Sequence, residues 1–138
     1  MKEVMTAKMP VPAQAIKEAF ASDAIALLKY LGTWAQTAGA TLTQTDAQWP
    51  REGFIELANV NWRVRICVRT PSELGTVPEI NGAWGLKIHD VQLGSNDYVA
   101  RWPGCWRHCN LITKAWDEID LHTHIVYLLE GWLHLGKR

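Results

Sequence analysis

At 138 residues the chain has the length of a single domain and can bury enough surface to fold without disulfides or metal. Fourteen Lys and Arg offset fourteen Asp and Glu, which excludes a globally basic nucleic-acid or membrane binder and an acidic DNA mimic. Three cysteines leave an odd thiol if any two pair, so the expected compartment is a reducing one, the cytoplasm by default.

The first residues, MKEVMTAKMPVPAQ, lack the apolar core of a signal peptide, and no stretch approaches the roughly eighteen apolar residues of a membrane span. A soluble chain is expected, with residues 1–12 as a tail and 13–138 as one domain. Ile16, Phe20, Leu27, Leu28, Leu31, Trp34 and Ala35 recur at steps of three and four, which predicts an amphipathic helix over 13–38. Gly39 is placed as its stop, and Ser22 and Asp23, both good N-caps, mark where it could divide.

Residues 40–52 are polar, include Pro50 and read as a loop, followed by a strand from Phe54 to Ala58 and a turn at Asn59 and Asn61. In NWRVRICVRT, Trp62, Val64, Ile66 and Val68 alternate with Arg63, Arg65, Cys67 and Arg69, the strongest strand pattern in the chain. After a long Pro- and Gly-containing loop, TPSELGTVPEINGA, the pattern recurs from Trp84 to Val91, with Trp84, Leu86 and Ile88 against Lys87 and His89. Tyr98 to Trp102 reads as a short fourth strand ended by Pro103 and Gly104. From Cys105 onward Ile112, Trp116 and Ile119 fit a helix, and Leu121, Ile125, Leu128, Trp132 and Leu135 continue it at heptad-like steps. The segment 119–129 also alternates at its start, so a strand competes there with the favoured helix. The fold class expected is α+β: a two-layer sandwich in which an antiparallel sheet of three or four strands is flanked by an N-terminal and a C-terminal helix.

In such a sandwich the helices cover the face bearing Trp62, Val64, Ile66, Val68, Trp84, Leu86 and Ile88. The other face presents Arg63, Arg65 and Arg69 beside Lys87 and His89, with Arg101 nearby, a locally basic plate on a neutral protein. Eight tryptophans add to the expectation of a partner surface. Trp102 and Trp106, flanking the Pro103 and Gly104 turn, are the candidate aromatic anchors beside the plate. The bland alternative is that Glu52 and Glu56 neutralise the arginines in ordinary cross-strand pairs.

The element order resembles that of double-stranded RNA-binding domains, but the lysine cluster at the start of their second helix is missing, and the strand tryptophans share the apolar side. Two clusters carry other chemistry. On a helix, Cys105, His108 and Cys109 share a face and could meet zinc with His89 or Cys67 as a fourth ligand, yet no CxxC pair accompanies them, and neither a structural metal nor a cofactor is expected. Asp120, His122 and His124 would line one face of a strand and suit a metal or acid/base chemistry; on a helix, Asp120 pairs with His124, Glu118 pairs with His122, and the two pairs point apart.

The function expected is a small protein-binding module that occupies an acidic surface of a larger protein or complex, as an inhibitor or accessory factor of a phage or mobile element does. The rival readings are a nucleic-acid binder using the same plate and a small metal-dependent enzyme using Asp120, His122 and His124.

Overall fold

The computed structural model of the chain describes residues 13–44, 49–70, 84–110 and 112–136. The elements run α1 (Ala13–Ala38), β1 (Thr41–Gln44), β2 (Phe54–Asn59), β3 (Trp62–Arg69), β4 (Gly85–Asp90), β5 (Asn96–Trp102), β6 (Cys105–Cys109), β7 (Trp116–Ile119) and α2 (Leu121–Gly136). The strands form one antiparallel sheet in chain order from β1 to β7, a meander with a helix at each end. The class is α+β, as expected, but the sheet has seven strands instead of three or four.

α1 is one unbroken helix, because Ala24, Leu27 and Leu31 continue its buried stripe straight past Ser22 and Asp23. Its stop is a left-handed Gly39, φ 67°, and the Ala40 N–H donates back to the Ala35 carbonyl at 2.9 Å, closing the helix end. No helix among the described residues is long and apolar enough to cross a membrane.

The core lies between the helices and one sheet face. Ile55 and Leu57 of β2, Trp62, Val64, Ile66 and Val68 of β3, Leu86 and Ile88 of β4 and Val99 of β5 meet Phe20, Ala24, Leu27 and Leu31 of α1 and Leu121, Ile125 and Leu129 of α2. Register keeps these positions together: Ile66 stands between Ile55 and Ile88, and Leu86 pairs with Val99. A one-residue slip would put the whole set on the wrong side. Trp84 is half-buried and packs its ring 5.7 Å from Phe20.

The strands absent from the sequence reading are β1, β6 and β7, each only four or five residues long. β5 and β6 are joined through Pro103 and Gly104, the latter at φ 81°, a tight hairpin that a helix starting at Cys105 could not share. β6 and β7 are joined by a turn in which the Asn110 side-chain oxygen accepts the N–H groups of Ile112 and Thr113 at 2.9 and 3.1 Å. The helix therefore begins at Leu121, and the segment 119–129 is helical over all but its first two residues. The part of the long loop from 71 to 83 lies outside the described residues.

Candidate functional site

The face of the sheet opposite the core is set by the same pleat. Glu56 stands opposite Arg65, Arg65 opposite His89, Cys67 opposite Lys87, Lys87 opposite Tyr98, and Ala100 opposite Arg107, so all of these share one side. Arg63, Arg65 and Arg69 of β3, Lys87 and His89 of β4 and Arg107 of β6 are thus brought to one surface. The carboxylates of the described strands on that side are Glu56 and Glu118.

Glu56 takes two of the arginines. Arg65 Nε donates to it at 3.0 Å and Arg63 Nε lies 3.4 Å away, the cross-strand neutralisation weighed above. With the arginine side chains 49% and 43% exposed, such pairs are worth about 0–1 kcal/mol each. They orient the guanidinium groups without locking them. Arg65 also lies over the Phe54 ring, 5.1 Å from its centroid. His89 Nδ1 and Asn96 Oδ1 are 2.6 Å apart.

Arg107 was missed by the sequence reading, which placed it in a helix. Its guanidinium lies 5.2 Å from the centroid of the Trp102 ring, and its Nε is buried without a hydrogen-bond partner among the described residues. The signal was the alternation of Trp106 and His108 against Arg107 and Cys109 directly after a Pro-Gly turn.

Three of the expected surface residues sit elsewhere. Arg101 falls on the core side of β5, where its Nε donates to Asp23 Oδ2 of α1 at 3.0 Å and its side chain is 15% exposed. Trp106, its register partner, is buried and donates its indole N–H to the same Asp23 oxygen at 2.7 Å. Trp102 is on the basic side but buried, packed 5.1 Å from the Trp116 ring in a small cluster with Ile16 and Ala100. Neither tryptophan is an exposed anchor, because β6 and β7 extend the sheet over what looked like a turn and a free end.

The two expected polar clusters are also rearranged. In β6 the period of two separates Cys105 and Cys109 from His108, so the three do not converge on a metal. Asp120 caps α2, accepting the N–H of Thr123 at 3.1 Å and its hydroxyl at 2.7 Å. Those bonds hold the Asp120 carboxyl below its ordinary value, the Thr123 hydroxyl contributing most. His122 stacks on Tyr30 of α1 at 4.7 Å, away from His124.

His124 and His108 are instead gathered by a third residue. Asp97, the second residue of β5 and buried, has its Oδ1 2.6 Å from His108 Nε2 and its Oδ2 2.8 Å from His124 Nε2. The two imidazole rings are 4.6 Å apart between centroids. The strand register makes this meeting: Val99 faces His108 and Asp97 precedes Val99 by one pleat period, on the side where α2 packs.

The chain matches no protein-family model, no curated protein and no solved structure.

Proposed function

We propose that the protein is a small binding module that occupies an acidic surface of a larger protein or complex through the basic side of its sheet, as an inhibitor or accessory factor does. The observation that carries this reading is the register-imposed gathering of Arg63, Arg65, Arg69, Lys87 and Arg107 on one side of a chain with no net charge. A gathering of this kind is not required for folding. The pairs that Arg63 and Arg65 make with Glu56 are largely exposed and weak, whereas an arginine fork held by carboxylates at an interface can contribute about 2 kcal/mol or more.

Guanidinium groups held on a rigid sheet are also pre-oriented, which lowers the ordering cost of binding. A protein partner is favoured over nucleic acid because the chain carries no net charge and, of the tryptophans on the basic side, Trp102 is buried and Trp116 is half-buried with its ring packed against it.

The test uses the full chain as bait in an extract of its native host, followed by reconstitution of each captured protein in purified form. Arg63, Arg65 and Arg69 changed together to Gln should leave the circular dichroism and melting temperature close to wild type and weaken the purified complex by about 100-fold or more. Lys17 and Lys29 on α1, changed to Gln, provide the charge control. Undiminished binding by the triple arginine variant, or capture of nucleic acid with a steep salt dependence in place of an acidic protein, would overturn the proposal.

A further inference from the structure

We infer that Asp97, His108 and His124 form a binding site for one first-row divalent metal ion of the zinc type. The site lies on the helix-covered side of the sheet, across from the arginines, and does not depend on the docking role proposed above.

Three elements converge on it. Asp97 comes from β5, His108 from β6 and His124 from the first turn of α2, 11 and 27 positions from the aspartate. Each offers one donor atom, and the three donors lie within 4.8 Å of one another. A tetrahedral zinc with bonds of roughly 2.0–2.1 Å sets its donors a little over 3 Å apart. Shifts of about an ångström in the two rings therefore suffice to admit the ion between groups that now touch directly.

The donor set selects the class of ion. Two imidazole nitrogens and one carboxylate suit zinc and its first-row neighbours, whereas magnesium and calcium require shells built from oxygen. Cys105 and Cys109 lie on the other side of β6 and supply no thiolate here. Three protein ligands are the number found at zinc sites that keep a position open for water or a substrate atom.

The same atoms also make sense as a hydrogen-bonded bridge, each ring giving an Nε2–H to the carboxylate. Such a bridge would serve only to hold α2 on the sheet, and apolar residues do this at least as well. Two features go beyond a bridge. Both rings retain some exposure, 24% for His108 and 14% for His124. His124 also lines a cleft of about 280 Å³ with Ile119, Asp120, Thr123 and Tyr127, so solvent reaches the helix beside one of the three donors.

The test begins with full-length protein treated with a chelator and then titrated with Zn²⁺ by calorimetry. One equivalent should bind with micromolar or tighter affinity and raise the melting temperature, while millimolar Mg²⁺ and Ca²⁺ do neither. His108→Gln and His124→Gln should each weaken the affinity by more than about 100-fold, the upper end of what losing even an outer-shell partner costs. The double change Cys105→Ser and Cys109→Ser should leave it unaltered. Co²⁺ added to the unmodified protein should give visible d–d bands without thiolate-to-cobalt charge transfer, a readout that holds even if a histidine variant fails to fold. Failure to take up stoichiometric Zn²⁺, a thiolate band with Co²⁺, or unchanged affinity in either histidine variant would overturn the inference.

Discussion

Arg101 Nε lies 3.0 Å from Asp23 Oδ2, although the two residues are 78 positions apart. The same oxygen accepts the indole N–H of Trp106 at 2.7 Å, so a single carboxylate of α1 serves both members of a β5–β6 pair. Replacing Asp23 by Ala leaves two largely buried donors without their acceptor. The expected loss of stability is about 2 kcal/mol, within the range for hydrogen bonds to charged groups. Asp23→Asn, which keeps one acceptor oxygen, should lose less. Urea unfolding of the three proteins, compared at equal slope, checks the order; an Asp23→Ala variant as stable as wild type would show that the carboxylate contributes no net stability.

How far the sequence carries the structure can be read at this same junction. Residues 62–69 alternate over eight positions, so their pleat and buried side are legible from sequence alone, and α1 is legible from its long apolar stripe. β6 and β7 are too short for a period to declare itself, and Ile112, Trp116 and Ile119 also fit a helical spacing. Reading a helix there left Arg107 unassigned, kept Trp106 at the surface and grouped His108 with the cysteines. The partnership of Asp97 with His108 and His124 lay beyond local pattern altogether, because it depends on strand register and on where α2 returns to the sheet. Arg101 was misplaced for a simpler reason: it shares the core side with Asp97 and Val99, and its pairing with Asp23, together with bonds from its Nη1 to the Trp102 and Cys105 carbonyls, lets a cation sit there.

The cap of α2 should make stability depend on acid pH. Thr123 bonds the Asp120 carboxylate through its hydroxyl and backbone N–H, holding the group below its ordinary value of 3.8, with attraction from His122 adding to the effect. The folded chain therefore binds fewer protons in acid than the unfolded chain. The contribution is complete above the ordinary value and is lost as pH falls through the lower, folded one. Asp120→Ala should cost about 1 kcal/mol near neutral pH, and progressively less in acid below the ordinary value of 3.8, as the wild-type carboxyl itself takes up its proton. Asp120→Asn, a comparable cap, should stay close to wild type at neutral pH. Paired urea titrations at neutral pH and in acid below that value measure the difference, and an equal cost at both would refute the charge-dependent cap.

Gly131 interrupts α2 at an exposed position, and a Cβ built there meets no atom within 4 Å. Glycine in a helix interior is about 0.5–1 kcal/mol less favourable than alanine, mainly because the unfolded chain loses more freedom. Gly131→Ala should raise stability by about that amount and shift the melting temperature upward by a few degrees. A decrease would mean that the position makes a contact outside the described residues.

Glu56 offers the sharpest test of the basic side, since it is the carboxylate that both Arg63 and Arg65 approach. If the arginines are only a solvated surface, Glu56 is their natural neutraliser and its loss has no consequence beyond a small change in stability. If they form a docking surface, Glu56 competes with the acidic partner for the same guanidinium groups. Glu56→Gln preserves the shape of the side chain and removes its charge, releasing both arginines at a cost to folding of about 1 kcal/mol or less, as expected for exposed pairs. The partner should then bind several-fold more tightly, and the affinity should fall more steeply as salt is added, because one more unit of positive charge faces it. Equilibrium binding of wild type, Glu56→Gln and the triple arginine variant across a salt series separates the alternatives. Tighter binding on Glu56→Gln together with weaker binding on loss of the arginines identifies the plate as the contact, whereas unchanged affinity in both variants assigns it to solubility alone.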